Sequence, residues 1–193
     1  MKISIIKYNA GNITSVAFAL NRLGIQPEIT DVPEIIRNSD KIIFPGVGQA
    51  STTMNYLKET GLNTLIPKLQ QPVLGICLGM QLMCAFSTEG ETPCLGIFDE
   101  KIQKFPPKEK VPHVGWNSIS NLKGPLFKDI PEKSFVYFVH SYFAYNNKYS
   151  IASCNYIESF SAAMQKENFY VTQFHPERSG KIGELILKNF IEL

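Results

Sequence analysis

The sequence lacks the features of several kinds of protein. No segment reaches the roughly 18 consecutive apolar residues of a membrane-spanning helix. The apolar start at Ile3, Ile5 and Ile6 is broken by Lys7, Asn9 and Asn12, so it reads as a first strand rather than an export signal, and a cytoplasmic protein is expected. Net charge is only +2, with both signs dispersed, which leaves no electrostatic footprint for nucleic acid. The four cysteines, Cys77, Cys84, Cys94 and Cys154, lack the paired spacing of a metal site and read as free thiols. With three histidines, His113, His140 and His175, candidates for a catalytic base are few. The one tryptophan, Trp116, reads on sequence alone more readily as core than as an interface anchor. Internal repeats, low-complexity tracts and linkers are also missing.

What remains is a chain of 193 residues, 44% hydrophobic and 19% charged, which suits a single domain over 1–193 with a substantial core. Strands are expected at Ile3 to Lys7, Pro27 to Thr30, Lys41 to Phe44 and Val73 to Ile76. Helical spacing occurs at Ile13 to Leu23, with Asn12 as a cap and Gly24 as a stop, and again at Pro33 to Arg37, Ala50 to Glu59 and Leu62 to Leu69. Apolar strands alternating with helices predict an α/β fold, a mostly parallel central sheet covered by helices on both faces. From about Gly96 the strands shorten. Phe135 to Tyr142, Ile151 to Cys154, Ser161 to Lys166 and Asn168 to Phe174 predict an antiparallel extension, with turns at Asn146-Asn147 and Glu167-Asn168, before a closing amphipathic helix over Ile182 to Phe190.

The stretch Pro72-Val-Leu-Gly-Ile-Cys-Leu-Gly-Met-Gln81 is an apolar run that stops at a cysteine between two glycines. It predicts a strand, a sharp turn, and a helix continuing through Met80, Leu82, Met83, Ala85 and Phe86. Cys77 would sit in a strained conformation at that helix's N-terminus, where unpaired N–H groups favour a thiolate. Cys84 would lie on nearly the same helical face. A buried apolar cysteine fits the turn equally well, so a base elsewhere must decide.

Gln173-Phe-His-Pro-Glu177 supplies one. His175 ends an apolar strand that Pro176 cannot continue, at the sheet rim where open α/β sheets bind ligands, and Glu177 can fix the ring's tautomer. Attack on an amide carbonyl would create an oxyanion. Donors for it can come from the N–H of Leu78 and from Val47 or Gly48 in Pro45-Gly-Val-Gly48, although the two glycines alone read as a tight strand-to-helix turn.

Together, Gly75-Ile-Cys-Leu-Gly79, His175-Pro-Glu177 and Pro45-Gly-Val-Gly48 resemble a class I (triad) glutamine amidotransferase domain. Within that family, Cys-Leu-Gly-Met-Gln81, His113-Val-Gly-Trp-Asn117, Val139-His-Ser-Tyr142 and Gln173-Phe-His-Pro-Glu-Arg-Ser-Gly180 are similar to the glutaminase subunits of imidazole glycerol phosphate synthases, from first strand to last helix. The resemblance implies a flavodoxin-like fold. It implies Cys77 as nucleophile, His175 as acid and base with Glu177 orienting it, and glutamine held by Gly46, Gly48, Gln81, Glu89, Ser141 and Tyr142. It further implies a strip at Pro45 to Gly48 in which a peptide flips to complete the oxyanion hole. Ammonia would pass to a (β/α)8-barrel cyclase subunit bordering Gly115-Trp-Asn117 and the Phe135 to Tyr142 strand. No cofactor, metal, nucleic acid or membrane is expected. The chain departs from the family at Lys7-Tyr-Asn-Ala-Gly-Asn12, where an Asp-Tyr-Gly start is commoner; the surviving Gly-Asn pair predicts that the turn is kept. Arg178 replaces the commoner lysine. Other readings are a glutaminase of this fold feeding a sugar-modifying or pyridoxal phosphate synthase, a silent regulatory subunit, and a cysteine hydrolase of related elbow geometry.

Overall fold

The computed structural model describes residues 1–8 and 12–193. Parallel strands β1 (Ile3–Ile6), β2 (Glu28–Thr30), β3 (Lys41–Phe44) and β4 (Val73–Ile76) alternate with helices α1 (Ile13–Arg22), α2 (Pro33–Arg37), α3 (Ala50–Glu59) and α4 (Leu62–Leu65). After β4 come the short helix α5 (Leu78–Met83) and strands β5 (Cys84–Ser87), β6 (Thr92–Pro93), β7 (Phe98–Lys104), β8 (His113–Ser118), β9 (Phe135–His140) and β10 (Tyr142–Phe143). The chain closes with β11 (Ser150–Asn155), β12 (Ser159–Lys166), β13 (Phe169–Thr172) and α6 (Gly180–Glu192).

The main sheet has the order β11-β12-β13-β4-β3-β1-β2. Strand side chains alternate between faces, and both faces are apolar because both are covered. Ile3, Ile5, Ile43, Leu74 and Ile76 pack with Val16 and Leu20 of α1 and Ile186, Leu187 and Phe190 of α6. Ile6, Ile42, Phe44 and Val73 pack on the other face with Met54 and Leu57 of α3 and with Leu62, Leu65 and Ile66. The expected antiparallel extension is continuous with this sheet: β13 is antiparallel to β12 and parallel to β4. This register carries His175 to the strand end beside Cys77. Strand β9 is not part of the extension. It pairs with β8 in a separate ribbon, in register His113 to His140 through Ser118 to Phe135.

Two local expectations are corrected. The helix after Cys77 ends at Met83, and Cys84 begins β5, which pairs with β7 and β6. Cys84 therefore shares no helical face with Cys77. Ladder bonds to a distant strand outweigh the helix propensity of Ala85 and Phe86, a tertiary override of a local preference. Asn12 makes no side-chain cap on α1; its amide instead reaches Glu177. The turn expected from the Gly11-Asn12 pair falls partly outside the described residues.

Candidate active site

Strands β3, β4 and β13 are parallel neighbours, so the segments after them, Pro45 to Gly48, Cys77 and His175, emerge at the same C-terminal edge. This is where an open parallel sheet leaves room for a ligand. Cys77 has φ 53° and ψ −106°, a left-handed conformation that costs a side-chain-bearing residue on the order of 1–3 kcal/mol and persists only when its surroundings fix it. Here the fixing is steric. A Cβ on Gly79 would lie 2.1 Å from the Phe44 carbonyl oxygen, and one on Gly46 would lie 2.4 Å from the Gly79 nitrogen. The strip after β3 and the first turn of α5 thus touch backbone to backbone. The Cys77 amide is held by the Thr172 carbonyl at 2.7 Å.

His175 is fully buried, and its Nδ1 lies 2.7 Å from Glu177 Oε1. A carboxylate can only accept, so Nδ1 carries the proton and Nε2 is the nitrogen available for chemistry. Asn12 Nδ2 donates to the same Glu177 oxygen, while Arg178 Nη2 donates to Asn12 Oδ1 at 3.1 Å. Burial disfavours the charged ring, but attraction to the Cys77 sulfur and the hydrogen bond to Glu177 outweigh it, and His175 is pushed up to about 10. Among the described residues Nε2 has no hydrogen-bond partner. The site is thus suited to an imidazolium facing a sulfur nucleophile, with a carboxylate fixing the ring.

A cavity of about 320 Å³ opens on Cys77. Its walls include Gly48, Gln81, Glu89, Ser141 and Tyr142, bringing together most of the positions expected to hold glutamine. Gly46, also expected to hold glutamine, does not line it; its carbonyl accepts from the Leu78 N–H at 3.4 Å, so the expected first oxyanion donor is engaged within the protein. Val47 also lines the cavity, and Gly48 has φ 117°. Glu89 Oε2 accepts from the Ala50 N–H at the start of α3, at 2.8 Å. Sequence reasoning placed neither Pro112, Val139 nor His140 in the cavity wall, which they also line, and gave no role to Gln173, which is fully buried behind Cys77 and donates to its sulfur. The signal for Gln173 was present in the Gln-Phe-His-Pro-Glu string, but a polar residue inside an apolar strand carries no address.

The ribbon beside the cavity has one buried and one exposed face. His113, Phe138 and His140 face inward and are buried, while Val114, Trp116 and Phe135 are exposed, Trp116 at 55%. The expectation that Trp116 is core is therefore overturned. Its strand position points it away from the core that its neighbours occupy. All four cysteines are free, as their spacing predicted. Among the described residues no helix is long and apolar enough to cross a membrane.

The family model for glutamine amidotransferase class-I matches residues 5–193. An "Imidazole glycerol phosphate synthase subunit HisH" from Bacteroides fragilis (strain YCH46) is 58% identical over all of both chains. The protein of that name from Bacteroides thetaiotaomicron is 56% identical over all of both chains, and the one from Haemophilus influenzae Rd is 50% identical over 100% of this chain and 98% of its own length. The fold is shared with a putative GMP synthase protein from Thermoplasma acidophilum, at TM-score 0.74 and 22% identity, covering 100% of this chain and 93% of that one. It is also shared with the PurLQS structure from Thermotoga maritima, at TM-score 0.75 and 16% identity, covering 99% and 97%. On these similarities, spread over the whole chain, the protein belongs to the class-I glutamine amidotransferase family.

Proposed function

We propose that this chain, as one amidotransferase domain over residues 1–193, is the cytoplasmic glutaminase subunit of an imidazole glycerol phosphate synthase in histidine biosynthesis. The observation that carries the reading is Cys77, on a strained strand-to-helix elbow at the floor of a cavity shared with Gln81, Glu89, Ser141 and Tyr142, with the buried His175–Glu177 pair on the adjoining strand end. Full-length relatives that bear the synthase subunit name support it.

The Cys77 sulfur attacks the side-chain amide carbon of glutamine. The resulting tetrahedral oxyanion collapses as His175 gives its Nε2 proton to the departing nitrogen, which leaves as ammonia, and a glutamyl thioester remains on Cys77. A water molecule, deprotonated by His175, then attacks the thioester carbon, releasing glutamate and returning the proton to the sulfur–imidazole pair. Glu177 keeps Nδ1 protonated and Nε2 aimed at the reacting atoms throughout. With the Leu78 N–H engaged by Gly46, the oxyanion needs rotation of a peptide in the Pro45 to Gly48 strip, bringing the N–H of Val47 or Gly48 to the site and freeing Leu78. Gly46 and Gly48 lower the cost of that rotation.

Ammonia passes to a (β/α)8-barrel cyclase that forms imidazole glycerol phosphate and aminoimidazole carboxamide ribonucleotide. The exposed apolar row Val114, Trp116 and Phe135 on the ribbon that also supplies Val139 to the cavity wall supports docking of that partner over the site. In the reconstituted complex, Cys77→Ala is expected to abolish glutamine-dependent synthesis and leave ammonia-dependent synthesis intact. Loss of both would make Cys77 structural. Glutamate release from the isolated chain is expected to be negligible and to rise with the cyclase and its nucleotide ligand; equal rates with and without them refute the coupling.

A further inference from the structure

A row of polar side chains, buried except for Asn117 at its far end, runs along and behind the cavity wall and ends on the Cys77 sulfur, and glutamine hydrolysis uses none of them as acid or base. Gln173 is fully buried at the end of β13, its backbone N–H tied to the Ala162 carbonyl at 2.8 Å. Its Nε2 donates to Cys77 Sγ at 3.7 Å, and its Oε1 accepts from Gln81 Nε2 at 3.1 Å. The same Gln81 nitrogen donates to the Tyr142 carbonyl at 3.1 Å, which also accepts from His140 Nδ1 at 2.8 Å. His140 Nε2 lies 3.1 Å from His113 Nδ1, and His113 Nε2 lies 3.4 Å from Asn117 Nδ2. Asn117 Nδ2 in turn donates to the Asn155 carbonyl at 2.9 Å, while its Oδ1 accepts from the Ser118 N–H at 2.8 Å.

The direction of every bond in this row is forced. Carbonyl oxygens cannot donate, so His140 carries its proton on Nδ1 and presents a lone pair at Nε2. His113 must then donate from Nδ1, and its Nε2 accepts from Asn117. At the other end Gln81 presents only N–H to Gln173, which must answer with its oxygen. A flip of the Gln173 amide would set donor against donor and turn a carbonyl dipole onto the sulfur. The second bond of Cys77, from Sγ to the Val139 carbonyl at 3.7 Å, suits the thiol and opposes the thiolate. The Gln173 N–H suits the thiolate.

We propose that Gln173 is a positioning residue, its amide locked by Gln81 and the Tyr142 carbonyl so that an N–H holds the attacking sulfur, and that the His140–His113 pair extends this lock to Asn117 on β8. The proposal rests on Cys77 being the nucleophile. Its effect belongs in turnover rather than in glutamine affinity, because Gln173 does not line the cavity.

The test compares Gln173→Met and Gln173→Glu with the native chain, measuring glutamate release with the partner subunit present and melting temperature. Gln173→Met keeps the volume and removes both polar contacts. It is expected to lower kcat about thirtyfold while KM for glutamine stays within about threefold. Gln173→Glu keeps the acceptor for Gln81 but offers the sulfur an N–H substitute only when protonated. Its kcat relative to native is therefore expected to rise as pH falls, whereas that of Gln173→Met is flat. Native kcat in Gln173→Met overturns the proposal. Should that variant not fold, a pH-independent ratio in Gln173→Glu overturns it instead. His113→Phe, at a residue that neither lines the cavity nor contacts the sulfur, is expected to lower kcat about threefold, and no change removes the extension to β8. Failure of the underlying glutaminase reading is distinct: Cys77→Ala would then still release glutamate.

Discussion

Lowering the pH from 8 to 5 should remove stability through two histidines that the reaction does not titrate. His113 and His140 are 4% and 5% exposed, and His113 is sandwiched between Tyr156 at 4.1 Å and Phe138 at 4.9 Å. Burial pushes His113 down to about 4. Burial does the same to His140, against the opposing hydrogen bond to the Tyr142 carbonyl and with further repulsion from His113 and His175, and lowers it to about 3. Above the unfolded value of about 6.5 both states are neutral and the rings cost nothing. Below it the unfolded chain takes up protons that the native one refuses, so stability falls with pH until the native rings titrate. Between pH 8 and 5 the native rings stay neutral, and each contributes a loss of about 2 kcal/mol, roughly 4 kcal/mol for the pair. His175 acts with the opposite sign. It is raised to about 10, so its contribution is full below the unfolded value and is lost as pH climbs from about 6.5 through 10; acidification from 8 to 5 returns about 2 kcal/mol. Urea unfolding at the two pH values should therefore show the native chain losing roughly 4 kcal/mol more than His113→Phe/His140→Phe. Imidazole C2–H resonances followed by NMR should show none of the three histidines titrating between pH 5 and 8. An imidazole midpoint near 6.5 in the folded chain, or equal losses in the two proteins, refutes the assignment of a neutral, buried pair.

Two other perturbations address the elbow and the docking face. Gly79→Ala brings a methyl carbon to 2.1 Å from the Phe44 carbonyl oxygen, so β3 and α5 must separate; a stability loss of about 3 kcal/mol and loss of glutamine turnover are expected, and a melting temperature within a degree of native refutes the backbone contact. Trp116→Ala, at a position 55% exposed, should leave the melting temperature within about 2 °C of native and weaken binding of the proposed cyclase partner at least tenfold in a titration. Unchanged affinity would remove the ribbon from the interface.

The parallel core was legible because the evidence for it is local. Short apolar strands, helical spacing between them, and the glycines around Cys77 all act within a few residues, and the observed elements at Ile3–Ile6, Ile13–Arg22, Lys41–Phe44 and Val73–Ile76 follow them closely. The elbow was legible for a related reason: Gly75 and Gly79 bracket Cys77, and the tight contacts a Cβ would meet at Gly75 together with the backbone clash it would meet at Gly79 are the physical content of that spacing. The helix expected through Phe86 failed where a non-local force entered, since β5 exists only by pairing with β7.

The sequence by itself singled out Cys77, His175 and Glu177 as candidates and placed Cys77 and His175 after apolar strands, because residue chemistry and strand termination are carried by neighbours in the chain. Only the tertiary structure decided that β13 lies beside β4, that Trp116 is exposed while His113 is buried, that the Leu78 N–H is engaged by Gly46, and that Gln173 turns an N–H toward the sulfur. Each of these depends on partners tens of residues away, and an amide's direction is fixed by the whole row of donors and acceptors that it closes.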